Sequence, residues 1–97
     1  MIIIIKRTLL EFSKKHATAA DPLNQWYQKA KNANWKNLAE IKKDFNHVDY
    51  VGNDRYVFNI KGNYYRLITM IFFDTRTIYI RFIGTHKEYD KIDCKNI

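Results

Sequence analysis

Hydrophobic and polar positions follow two different periods along this chain. Ile2–Ile5 opens it as an unbroken β-branched run. Such a run predicts a short first strand buried on both faces, since a half-buried strand would alternate. Helical spacing follows. Thr8-Leu9-Leu10-Glu11 has the form of a capping box, and Leu9, Leu10 and Phe12 give the helix behind it an apolar side. Lys14, Lys15 and His16 fall at its C-terminal end, where cations complement the helix dipole. Asp21-Pro22 signals a second start, with Asp as cap and Pro in the first helical position. Leu23, Trp26, Tyr27 and Ala30 then make one stripe. Asn34 caps a third helix running to about Lys43, with Trp35, Leu38, Ala39 and Ile41 inward. Helical spacing accounts for both tryptophans, so they are expected in the core and not as base-stacking platforms.

The period changes near His47. Arg55–Ile60, Tyr64–Phe73 and Thr77–Ile83 are rich in Tyr, Phe, Ile and Val, as strands are. Lys61–Asn63 and Asp74–Arg76 are short enough to make the three strands an antiparallel meander. With three-residue loops, Phe72 faces Ile78, Met70 faces Ile80 and Ile68 faces Phe82. This all-apolar side is expected to meet the helices, with Tyr56 and Phe58 on it. Arg66 then falls opposite Gly84 at the margin of that side, and Arg81 on the other face. Gly84–Ile97 is polar and predicts one helical turn followed by a fraying end. The expectation is an α+β fold: an N-terminal strand and about three helices on a mostly antiparallel sheet with a C-terminal meander, in one domain over 1–97.

Composition narrows the class. Ninety-seven residues with 46 % hydrophobic and 15 % aromatic content suit a packed domain and not a disordered chain. Cys94 is the only cysteine, so no internal disulfide framework is available. No apolar run approaches the roughly 18 residues of a membrane span, and Ile2–Ile5 is too short for a signal peptide. The reading is a cytoplasmic protein. Its 17 Lys and Arg against 10 Asp and Glu give a net charge of +7. A small basic domain of this kind suits a polyanionic partner.

Cations recur at the element ends: Arg55, Lys61, Arg66, Arg81 and Lys87. Tyrosines 56, 64, 65, 79 and 89 are interleaved with them, a combination fit for phosphate contact and base stacking. Gly84-Thr85-His86-Lys87-Glu88-Tyr89-Asp90 follows the last strand and brings a histidine able to move protons near neutral pH. His16, His47 and His86 are scattered and no paired cysteines exist, so no metal site or cofactor is expected.

The segments Val57–Ile68 and Ile80–Asp90, with Leu23–Tyr27, Ala33–Trp35 and Val51–Asn53, resemble the signatures of HigB-type toxins. The resemblance covers nearly the whole chain. These toxins belong to the RelE-like group of type II toxin–antitoxin modules. The resemblance implies a metal-independent, ribosome-dependent mRNA endoribonuclease that inhibits translation, and a small α/β fold. It also implies neutralisation by a HigA-type helix-turn-helix antitoxin, through which alone operator DNA is met. Tyr65-Arg66-Leu67 matches the group's basic sheet segment, with Lys61 upstream. The arginine-rich region after the last strand is replaced by Thr85–Tyr89. Role assignments do not transfer there. The chemistry of such a cleavage assigns charge stabilisation to Arg66 and Lys61, proton transfer to His86 and its orientation or base stacking to Tyr89, with Arg55, Tyr65, Arg81 and Lys87 on RNA and no metal. ParE-like proteins of similar fold, which bind and inhibit DNA gyrase without catalysis, are the rival reading.

Overall fold

The computed structural model describes residues 1–97. Its elements are β1 (Ile2–Ile4), α1 (Lys6–Lys15), a 3₁₀ turn (Ala17–Ala19), α2 (Ala20–Asn32), α3 (Leu38–Asp44), β2 (Val48–Gly52), β3 (Arg55–Ile60), β4 (Tyr65–Phe72), β5 (Thr77–Thr85) and α4 (His86–Tyr89). One sheet orders the strands β1-β5-β4-β3-β2. Only β1 pairs in parallel, with β5; every other pairing is antiparallel. This is the expected α+β fold with its C-terminal meander.

The helices sit where the apolar stripes placed them, but with different ends. α1 begins directly after β1, so Thr8 lies inside it and caps nothing; Leu9 is buried whereas Leu10 is 52 % exposed. The 3₁₀ turn feeds α2 from Ala20, which moves Asp21 from the cap into the first turn. There its charge still complements the dipole. Asn37, not Asn34, caps α3, its Oδ1 accepting from the Glu40 N–H at 3.0 Å. Trp35 therefore precedes the helix. It is nonetheless buried, and its Nε1 donates to Asp44 Oδ2 at 2.8 Å. Ala39 faces solvent.

Between helices and sheet the core is aromatic. Phe58 stands edge-on to Trp26 at 5.4 Å and to Phe45 at 5.3 Å, and stacks near Trp35 at 6.4 Å. Leu67, Ile71 and Ile78 extend this core toward α1 and β1.

Three sheet expectations are corrected. β1 is an edge strand, so only Ile3 packs on the core, while Ile2 and Ile4 are 60 % and 42 % exposed. β2 pairs with β3 although no strand was expected between His47 and Arg55. The meander's helix-covered side carries Tyr65, Leu67, Thr69 and Ile71, not Ile68, Met70 and Phe72. The buried Thr69 gave that side a polar look. Its hydroxyl is satisfied by the Tyr56 main-chain oxygen at 3.0 Å. Tyr56 and Phe58 face the helices opposite Thr69 and Leu67. Ile68↔Phe82 and Arg66↔Gly84 pair as expected. Nearer the turn the register shifts to Thr69↔Ile80 and Phe72↔Thr77, because a bulge at Arg81 absorbs one residue.

Candidate functional site

The sheet face turned away from the helices carries Arg55 on β3, Arg66 and Ile68 on β4 and Phe82 and Gly84 on β5. Arg66 lies across from Gly84. A Cβ there would stand 2.4 Å from Phe82 Cζ and 3.1 Å from Glu88 Oε1, so the ring of Phe82 folds over the glycine. This close approach lets β5 run straight into α4.

Thr85 caps α4 with a full capping box: its Oγ1 accepts from Glu88 N, and Glu88 Oε1 accepts from Thr85 N. Those bonds hold the Glu88 carboxyl below the usual carboxylate range, with the charges of His16 and Lys91 helping. His86 is the first residue of the turn. Its main-chain N–H donates to Tyr64 O at 3.1 Å, which ties α4 to the β3–β4 turn. The imidazole is half-exposed, with Nδ1 3.4 Å from Asp90 Oδ1. The carboxylate orients the ring and leaves Nε2 for another partner.

Tyr89 closes the turn half-buried, its ring centroid 5.8 Å from the Arg66 guanidinium carbon. Burial, and then the neighbouring Cys94 thiol, push its phenol up to about 12, against the pull of Arg66. The phenol is thus protonated at neutral pH. Arg66 is also held from below, donating to Asn63 O at 3.2 Å and Asn63 Oδ1 at 2.8 Å. Lys61 occupies the β3–β4 turn in a left-handed conformation, its ammonium 5.2 Å from the Tyr64 ring.

The structure therefore sets Arg66 beside Tyr89, with His86 on the same helical turn as Tyr89 and Lys61 on the adjoining β3–β4 turn. Lys87 is exposed on α4. Arg55 is buried, and its guanidinium, like that of Arg81, is spent on the main-chain oxygen of Ile97. The bulge puts Arg81 on the same face as Arg66, against the expected register. Tyr65 belongs to the helix-covered side, hydrogen-bonded to Thr18 at 2.7 Å and edge-on to Phe12. Sequence reasoning missed the supports: Asn63 under Arg66 and Asp90 behind His86. Only Asp90, four residues after His86, left a readable signal.

No three His, Cys, Asp or Glu side chains gather as a metal site would need. An open groove of about 1010 Å³ lies between α2, α3 and the end of β3, and of the candidate residues only Lys61 borders it. The site is thus a surface: a fixed guanidinium, an exposed ammonium and an oriented imidazole. Such a set can neutralise a phosphate and move a proton beside it.

Residues 19–92 match the HigB toxin family, described as the RelE-like toxic component of a toxin–antitoxin system. The mRNA interferase toxin HigB of Escherichia coli strain K12 is 31 % identical over 93 residues, which is 93 % of this chain and 88 % of that one. The mRNA interferase HigB of Shigella flexneri matches to the same extent. That of Escherichia coli O6:H1 is 30 % identical over 94 residues, covering 95 % of this chain and 91 % of its own. No helix of the chain is long and apolar enough to cross a membrane. Family match, fold and full-length similarity agree: the chain belongs to the HigB family of RelE-like toxins, the toxic components of toxin–antitoxin systems.

Proposed function

We propose that this toxin is an mRNA endoribonuclease that cuts translated messages on the ribosome without a metal. The placement of Arg66 beside Tyr89, with His86 on the same helical turn, carries the reading. In the reaction a ribose 2′-oxygen forms a bond to the adjacent phosphorus and the bond to the 5′-oxygen breaks. A base takes the hydroxyl proton and an acid supplies one to the leaving oxygen. Arg66 offers the growing phosphorane charge a pre-positioned donor, held by Asn63 below and Tyr89 beside it. Lys61 adds a second cation from the exposed turn. His86 moves a proton through Nε2 while Asp90 holds Nδ1. With its phenol lifted to about 12, Tyr89 is no base and serves to orient Arg66. Lys87 grips RNA backbone from α4. In this conformation Arg55, Arg81 and Tyr65 are turned to other tasks.

The net charge of +7 supports a polyanionic target and an acidic surface on the antitoxin, for which a HigA-type helix-turn-helix protein is the proposed partner. Both support a cytoplasmic location. Inducible expression of wild type and His86→Ala, with primer extension on a translated reporter mRNA, tests the mechanism. Translation-dependent cuts in the wild type should fall by about 10²–10⁴-fold in the variant, the usual worth of general acid–base help. A fall under tenfold in a folded variant overturns the role of His86. Growth arrest with no cuts overturns the nuclease reading and makes the basic face a binding surface.

A further inference from the structure

Arg55 is a cation with little access to solvent, at 8 % exposure, yet no Asp or Glu carboxylate lies within 4.0 Å of its guanidinium. Burying an uncompensated charge is costly unless hydrogen bonds satisfy it. All three of its nitrogen positions donate to main-chain oxygens: Nη1 to Asn53 O at 3.0 Å, Nε and Nη2 to Ile97 O at 3.2 and 2.6 Å. Arg81 brings a second guanidinium to that same Ile97 oxygen at 3.2 Å. Two residues earlier, Lys95 O accepts from Asn53 Nδ2 at 2.9 Å. Three side chains from the sheet and its β2–β3 turn thus grip the chain at 95 and 97.

The gripped segment begins at the site. Ile92 N–H donates to Tyr89 O at 3.2 Å, and Cys94 is next to the grip. Beneath, Val57 and Ile68 are 3 % and 0 % exposed although they point away from the helices. The anchored segment reaches that face where Ile97 O meets Arg55 and Arg81. A polar segment with no such grip would fray, and Tyr89 would lose the support that holds its ring over Arg66.

We propose that Arg55, with Arg81 and Asn53, positions the cleavage site by anchoring the C-terminal segment that holds Tyr89 against Arg66. Arg55 is then a positioning residue and not an RNA contact. The inference rests on the nuclease reading for the role of Tyr89 and Arg66, but the anchoring itself has a readout independent of cleavage. Cys94 is the only thiol, so its reaction rate with Ellman's reagent reports release of the segment.

The experiment compares full-length Arg55→Ala, Arg81→Ala and Asn53→Gly with wild type. Glycine suits position 53, where φ is 55°. Arg81 and Asn53 are exposed, so their variants stay informative if Arg55→Ala fails to fold. Expected are a severalfold faster thiol reaction in each and unchanged melting for the two exposed positions. On a translated reporter, kcat should fall by about ten- to a hundredfold with KM little changed, as misplacement by about 1 Å does. The Arg55→Ala/Arg81→Ala double variant should be no worse than the stronger single, because both act through one oxygen. An unmoved thiol rate overturns the anchoring. Additive losses appearing in KM, with Asn53→Gly silent, overturn it in favour of direct phosphate contacts by the arginines. Absence of cleavage in the wild type defeats the nuclease reading alone, since the thiol rates still decide whether the grip holds Tyr89 and Cys94 in place.

Discussion

The two faces of the sheet are closed by different means. On one, three helices bury a continuous cluster that runs from Met1 and Leu9 through Trp26 and Phe58 to Ile78. On the other, a short polar segment is held by three side chains on two main-chain oxygens. Apolar area stabilises the first closure. A few directional bonds, each worth about 0.5–1.5 kcal/mol or somewhat more when charged, hold the second. Every member of the proposed site is on or beside the second. Stability and site geometry thus reside on opposite faces, and substitutions should separate them.

Phe58→Ala gives the largest effect on the helix side. The ring sits among Trp26, Trp35 and Phe45 at 1 % exposure. Its loss should cost about 3–5 kcal/mol, as deletion of a buried aromatic does. Domains of this kind have only about 5–15 kcal/mol in total. Urea unfolding should show a lower midpoint with the slope unchanged. His86→Ala is its counterpart on the other face and should leave the midpoint within about 0.5 kcal/mol of wild type. A large loss of stability in His86→Ala would break the separation.

The same division explains what the sequence made legible. The helix stripes and the strand runs could be read because apolar burial repeats with the period of the element. So could the cluster Gly84–Asp90, which keeps its polar side chains within one turn. The side of the meander could not be read. Alternation leaves both sides of β4 apolar, and Thr69 made the buried one look the more polar of the two. Its compensation is one hydrogen bond to Tyr56, thirteen residues away in sequence. The side-chain bonds of Arg81 and Arg55 to Ile97 are likewise made to a main-chain partner 16 and 42 residues off. No local pattern announces such pairings. That is why Arg55 and Arg81 looked like free cations in sequence.

Gly84→Ala should act next in size. The added methyl meets the Phe82 ring at 2.4 Å, and the ring or β5 must give way. Overpacking of this kind costs about 1–3 kcal/mol. Because Gly84 lies across from Arg66 and one residue before the cap of α4, cleavage should fall more steeply than stability does. Activity retained in proportion to the folded fraction would show that the β5–α4 junction tolerates movement. Tyr65→Phe is smaller and falls on the opposite side of the comparison. It removes the 2.7 Å bond to Thr18 and should cost about 1 kcal/mol with cleavage unchanged. A loss of cleavage there would return Tyr65 to the RNA surface despite its burial.

The smallest effect concerns acid. Glu88 is held below its ordinary value of 4.5, first by the bond from the Thr85 N–H. A depressed carboxyl favours the folded state above its unfolded pKa, and that contribution is lost as pH falls through the lower folded value. Glu88→Gln keeps an oxygen able to accept from Thr85 but cannot titrate. Its unfolding free energy should therefore vary less than that of wild type below pH 4.5, with the two curves parallel near neutrality. The loss in wild type should also be local, since the capping box spans only Thr85–Glu88. Amide exchange at the α4 end of the segment should rise in acid before exchange in β3 and β4 does. If the strands open at the same pH, the two faces melt as one unit and the separation of site from core does not extend to α4.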